Sequence, residues 1–446
     1  MSVATSPRIL SKSQFARLAA CAAALTATAP AQAVMQATVQ SPKQAVGRTF
    51  TVGTAAELRT ALLGARPGDT VLLAPADYGN FNFDRFRFTD GFVNIRSADP
   101  ANRARFGQLL MRGTTGLAIS GLDIQSSISP VINIGSGSNI RLAGNRIRGG
   151  TANADPFDDP QTGLWVRGSQ NVVVASNDFQ DLRLGALIQR STSVAIRHNN
   201  FIHLREGLNV AAATRGDIAN NHFERFSPNY GIGEHPDVIQ FWNRNETQGV
   251  THFTIRNNFL SMGNNGAIHG IFLGNEIPTI PHSNLEVSGN VYYGSALHGI
   301  SLGAVNNARV FNNVVVASPW ADNNNASLRT PDGRTGGAMQ PRIRLGTGTG
   351  VEAFRNVAMG FNQMDSGRTA TDNIDLWEAN TRTGEPWTNV FEARPTDRLP
   401  ALAAFTTKSP SLAATRSIGI QAPFKVGVVT LDPAAAQALA ASQPLP

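Results

Sequence analysis

An asparagine recurs in one frame along most of the chain. In LAGNRI, VASNDF, IRHNNF, IANNHF, IRNNFL, VSGNVY, VFNNVV and AFRNVA it falls three residues after an apolar position. These are Asn145, Asn177, Asn199, Asn221, Asn258, Asn290, Asn313 and Asn356. The closest intervals are 22 and 23 residues, and the longer ones (32, 37 and 43) keep the frame once insertions are allowed. A fixed period of this length marks a solenoid, whose coils bury their apolar faces against their neighbours. Asparagine suits the bend because it tolerates a left-handed backbone. Its amide can also bond the amides of the coils above and below. The eight are expected to stand in one line.

A second apolar strand precedes each asparagine, in GLWV, GALI, GLNV, VIQF, GIFL, GISL and RIRL. The pairs Leu164/Val166, Ala186/Ile188, Leu208/Val210, Ile239/Phe241, Ile271/Leu273, Ile300/Leu302 and Ile343/Leu345 alternate at period two, so one face is buried. Both features predict an all-β fold, a right-handed parallel β-helix of coils of about 22 residues. The high glycine content, 42 residues, fits turn-rich strands better than helices. Near the start, Thr54 and Glu57 form a capping box for an amphipathic helix to about Ala65. A PGD turn and a strand from Thr70 to Leu73 follow. That helix closes the open end of the solenoid.

The first 33 residues read as a secretory signal. Arg8, Lys12 and Arg17 precede an apolar Ala-rich stretch, and Ala31-Gln32-Ala33 offers a cleavage site after Ala33. The expected organisation is a signal over 1–33, a linker over 34–48 and a β-helix with its N-terminal cap over 49–365. Residues 366–446 read as a C-terminal cap with a loose tail. Cys21, the only cysteine, leaves with the signal, so the mature chain has no thiol chemistry and no disulfide. Cleavage lowers the formal net charge from +7 to +4, which suits a polyanionic partner. No later stretch is apolar enough to span a membrane. The chain is therefore expected to be secreted or periplasmic, a monomer, with no nucleic-acid partner.

The PGD opening, then VNIRSADPANRARF and GLAISGLDI, resembles secreted β-helix polysaccharide lyases of the alginate lyase and chondroitinase B type, over about residues 49–365. The resemblance implies cleavage of an acidic polysaccharide, with a lysine base and an arginine partner. The coils contain no lysine: past the signal only Lys43, Lys408 and Lys425 remain. Two hydrolase or isomerase relatives on this scaffold are alternatives. Leu297-His298-Gly299-Ile300-Ser301 with Arg342-Ile343-Arg344 is similar to the polygalacturonase pattern, without its adjacent aspartates. His235-Pro236-Asp237 reverses an Asp-Pro-His element of alginate epimerases. A non-catalytic polysaccharide-binding surface protein is the third reading.

Insertions gather at the two edges of the second strand, near 148–162, 224–236, 260–268 and 317–340 on one side and 242–251 and 274–283 on the other. They predict walls around a groove floor. The residue two before the first buried apolar of each floor strand is Thr162, Leu184, Glu206, Asp237, His269, His298 and Pro341. Four coils thus stack Glu206, Asp237, His269 and His298, each one strand spacing (~4.8 Å) from the next. Parity alone turns this column inward, but its place where the strand begins lets a bend swing it toward the loops. Carboxylates beside histidines raise the imidazole pKa toward neutrality, which suits proton transfer. His235 joins them, with Pro236 holding it and Asp237 in one orientation. Outward floor positions are Asn209, Gln240, Phe272, Ser301 and Arg344, with Trp242 at the rim.

β-Elimination on a uronate requires a neutralised carboxylate, a base for the C5 proton and an acid for the leaving oxygen. The expected roles are Arg344, Gln240 and Asn209 on the carboxylate, His269 or His235 as base and His298 as acid. No cofactor is required. Calcium held by Glu206 and Asp237 is the alternative neutraliser.

Overall fold

The computed structural model describes residues 47–151, 153, 155–229, 234–261, 268–274, 276–318, 341–363, 369–376, 387–395 and 397–446. The expected signal and most of the linker lie outside these residues, as does most of the 317–340 loop. Among the described residues no helix is long and apolar enough to cross a membrane.

Parallel pairing runs from end to end. One sheet has thirteen strands, from Thr49–Val52 to Thr369–Thr371, and a second has twenty. The second sheet supplies two faces, because each coil carries a short strand just after its asparagine as well as the floor strand. The sequence pattern had suggested two strands per coil; the third is short (Arg146–Arg148, His222–Glu224, Phe259–Ser261) and its period is easily lost. In two coils it fuses with the floor strand into the twelve-residue strands Asp178–Gln189 and Asn200–Ala211. Like residues stack on like inside: Phe179 on Phe201 at 4.7 Å and Phe201 on Phe223 at 4.8 Å, rings near parallel.

The asparagines form an unbroken buried line. Each Oδ1 accepts the backbone N–H and the Nδ2 of the asparagine one coil earlier, from Asn145–Asn177 through Asn313–Asn356, at 2.8–3.0 Å. Asn373 continues it at 2.9 Å, one coil past the expected limit at 365. One detail of the sequence reading is corrected. The left-handed residue is not the ladder asparagine but the one before it: Gly144, Ser176, His198, Asn220, Asn257, Gly289, Asn312, Arg355 and Asp372 all have φ between 53° and 63°. The bend is made one residue early so that the asparagine side chain points inward to its partners.

The N-terminal cap matches its signals. A helix spans Ala55–Gly64 with Thr54 as N-cap, Leu58 and Leu62 buried, and the strand Thr70–Leu73 follows. Glu57 reaches the Gly53 amide at 2.7 Å. The expected loose tail is a second correction. Residues 425–429 bond to Asn220, Asn200 and Ser176, and the helix Pro433–Ser442 lies on the thirteen-stranded sheet. Ala436 and Ala440 are fully buried against Ala143, Val173, Ala175 and Ala195. Small residues on the outer surface of three coils leave room for an alanine-rich helix. At Gly144 a Cβ would stand 2.6 Å from that of Ala436.

Candidate active site on the walled floor

The floor runs through Thr162–Arg167, the second halves of the two twelve-residue strands, Asp237–Trp242, His269–Leu273, His298–Leu302 and Arg342–Leu345. The connections 243–250 and 276–281 follow two of its strands; the expected insertions near 230–233 and 262–267 lie outside the described residues. Parallel register turns equal sequence positions into columns. Leu184 pairs with Glu206, Leu208 with Ile239, and Asp237 with His269. After His298 the frame slips: Arg342, not the expected Pro341, stands opposite, with an irregularity between His298 and Ile300. The outward column is continuous through Trp165, Leu187, Asn209, Gln240, Phe272, Ser301 and Arg344.

The column divides: Thr162, Leu184, Glu206 and Asp237 are buried, whereas His269 and His298 are partly exposed. After His269 and His298 the chain presses against its neighbours at Gly270 and Gly299. A Cβ at Gly270 would lie 2.2 Å from the Gly299 carbonyl oxygen. Only glycine permits that approach. The rings of His235, His269 and His298 surround Phe272, at 5.1, 6.1 and 5.5 Å between centroids. His235 and His269 meet edge to face at 5.0 Å, and His269 and His298 at 4.7 Å.

Asp237, 1% exposed, lies beneath these rings. Its Oδ2 is 2.9 Å from His235 Nδ1 and its Oδ1 is 3.4 Å from His269 Nδ1. The Pro236 carbonyl accepts from the His269 amide at 3.2 Å, tying the segment that carries His235 to the floor. The hydrogen bond to Asp237 pushes His235 above the usual histidine range. Burial first, then the charges of His269 and Arg344, hold His298 down to about 4. At neutral pH His298 therefore carries no proton to donate.

Glu206 belongs to a neighbouring group. It accepts from Asn209 Nδ2 at 3.2 Å and faces Arg183 at 3.9 Å, while burial raises its pKa. Arg205 pairs with Glu234 at 3.4 Å beside it, both largely buried. Arg183, Arg205 and Glu234 were missed from sequence. The signal was one residue away: Arg183 and Arg205 directly precede the column residues Leu184 and Glu206. The structure thus gathers His235, Asp237, His269, His298, Phe272 and Arg344 and places Glu206 with Asn209 beside them. Gln240 lies between Asn209 and Phe272 in register, and Trp242, opposite Ala211, stays at the rim. Among the described residues the one group of three metal-ligating side chains is His235, Asp237 and His269.

A right-handed parallel β-helix with an ionisable, aromatic-floored groove is the class these features define. Residues 107–260, about a third of the chain, match the family model of the right-handed beta helix region. The PL6 family alginate lyase AlyGC is similar in structure over 86% of this chain and 59% of that one, with a TM-score of 0.54 at 15% identity. A point variant of that lyase gives 0.51 at 14% identity, over 86% of this chain and 57% of that one. The pectate lyase Pel9A aligns over 83% of this chain and 91% of its own, at 0.40 and 13% identity. This chain therefore spans less than two thirds of the alginate lyase, and the likeness is one of fold, as the sequence resemblance implied. No curated protein matches the sequence.

Proposed function

We propose that the chain is an exported polysaccharide lyase that cleaves a uronate-containing polymer, such as alginate or glucuronan, by β-elimination. The observation that carries this is a buried carboxylate faced by two imidazoles, with a third, His298, against one of them on a floor shared with Arg344. The C5 proton of a uronate is α to the carboxylate, so the base must stand beside the group that neutralises that carboxylate. Arg344 is the cation whose charge reaches His298, on the strand next to it. His298 therefore takes the C5 proton in place of the expected His269. The freed electron pair forms the C4–C5 double bond, the C4–O4 bond breaks, and O4 takes up the proton that His298 removed. Phe272 offers an aromatic face to the sugar ring, and Gln240 and Asn209 bond its hydroxyls.

His298→Ala should lower turnover by roughly 10²- to 10⁴-fold, the usual worth of general acid–base catalysis, with little change in KM. His252→Ala, exposed on the thirteen-stranded sheet, should not. Formation of the ultraviolet-absorbing unsaturated uronate is the assay. Near-full activity of His298→Ala would remove the base from this assignment. A hydrolase is the second reading, favoured by Glu206 and Asp237 side by side in the column; it yields a product without that absorbance.

A further inference from the structure

The two oxygens of Asp237 are unequally used. Oδ2 is within hydrogen-bond reach of His235. Oδ1 and His269 Nδ1 face each other at 3.4 Å, both atoms are buried, and neither has a hydrogen-bond partner. Leaving a buried acceptor and a buried ring nitrogen unsatisfied costs free energy on both sides. A third group that satisfies both would remove that cost. The ligand atoms of His235, Asp237 and His269 all lie within 4.8 Å of one another. Ligands around a tetrahedral zinc-like ion stand ~3.4 Å apart, given bonds of about 2.0–2.1 Å. With Asp237 Oδ1 as the carboxylate ligand, its separation from His269 Nδ1 is already 3.4 Å, and His235 Nδ1 lies 2.9 Å from the other oxygen of the same carboxylate. His235 is about half exposed, so the outer side is open to an arriving ion.

The geometry points to a divalent transition-metal site with His235, Asp237 and His269 as ligands and an open position toward the groove. Two imidazoles and a carboxylate select a zinc-class ion over calcium, which is bound through oxygen alone. Three protein ligands and a free position characterise ions that act on substrate rather than ions that only hold a fold. The ring contacts of His269 with His298 and Phe272 set its orientation, the service that outer neighbours give a ligating histidine. The ion's use in the reaction rests on the lyase reading. In the groove it would share with Arg344 the negative charge that builds on the uronate as C5 loses its proton.

The test needs no substrate. The full chain, dialysed against chelator, is titrated with Zn2+ by calorimetry and with Co2+ by visible absorption. One equivalent should bind, Zn2+ should raise Tm by several degrees, and Ca2+ should do neither. Asp237→Asn is isosteric, and His235→Ala removes a half-exposed side chain; each should weaken Zn2+ binding at least ~10-fold. His252→Ala, remote from the groove, should bind as the unaltered protein does. Failure of the unaltered chain to bind, full affinity in both ligand variants, or preference for Ca2+ over Zn2+ overturns the site. An ion bound without any unsaturated product from uronate polymers sinks only the lyase reading. Lyase activity in a chain that binds no ion sinks only this inference.

Discussion

At the scale of single residues, Asn199 shows how one side chain joins three coils. Its Oδ1 accepts from the backbone and side chain of Asn177, and its Nδ2 donates to Val174 and Asn221. All of these groups are shut away from water, where a donor without an acceptor costs about 1–3 kcal/mol. Asn199→Ala strands more than one of them, and a loss of about 2–5 kcal/mol is expected. Denaturant unfolding should show a lower midpoint with an unchanged slope; an unchanged midpoint would mean that the ladder adds nothing to stability. The ladder was legible in the sequence because it recurs in frame. Its companion residues were not: nothing in Ser176, His198 or Arg355 announces a left-handed backbone, and only the packing of the asparagine beside them requires it.

At the scale of elements, both ends of the chain carry tests. In the N-terminal cap, Asp69 of the PGD turn accepts from the Arg48 side chain and from the Arg48 and Arg66 amides. These bonds, the Arg48 side chain foremost, hold its carboxyl down to about 2 from an ordinary 3.8. A depressed carboxylate contributes stability above its unfolded pKa and loses it as the folded group takes a proton. That contribution is therefore complete above about pH 5 and disappears between about pH 4 and 2. Asp69→Asn should be less stable at neutral pH and should lose less on acidification across that window, as urea unfolding at a series of pH values would reveal. Parallel curves for the two proteins would show that Asp69 is not the group responsible. At the other end, Ala436→Glu places a charge among Ala143, Val173 and Ala175. Amide exchange over 433–442 should speed up and Tm should fall, whereas unchanged protection would mean that the helix is not held by this contact. The sequence marked that segment as a tail because alanine-rich stretches have little amphipathic contrast. The small outer residues that receive it lie some 240–290 positions earlier in the chain, where only the tertiary structure brings them together.

At the scale of the whole molecule, a solenoid makes its sequence unusually readable in one direction. Each coil touches its neighbours alone, so the period sets the register, and the register sets which residues share a column. On that basis the sequence by itself determined the parallel β-helix, the strands of the floor, the capping helix and the neighbourhood of Asp237, His269 and His298. The tertiary structure decided what periodicity does not encode. It buried Glu206 and Asp237 while leaving His269 and His298 partly exposed. It also slipped the frame after His298, set Arg344 beside that histidine, and returned the C-terminal helix to the early coils. Repetition specifies contacts between equivalent positions, whereas a site is built from the departures, and those are set by the local packing of side chains that share no period.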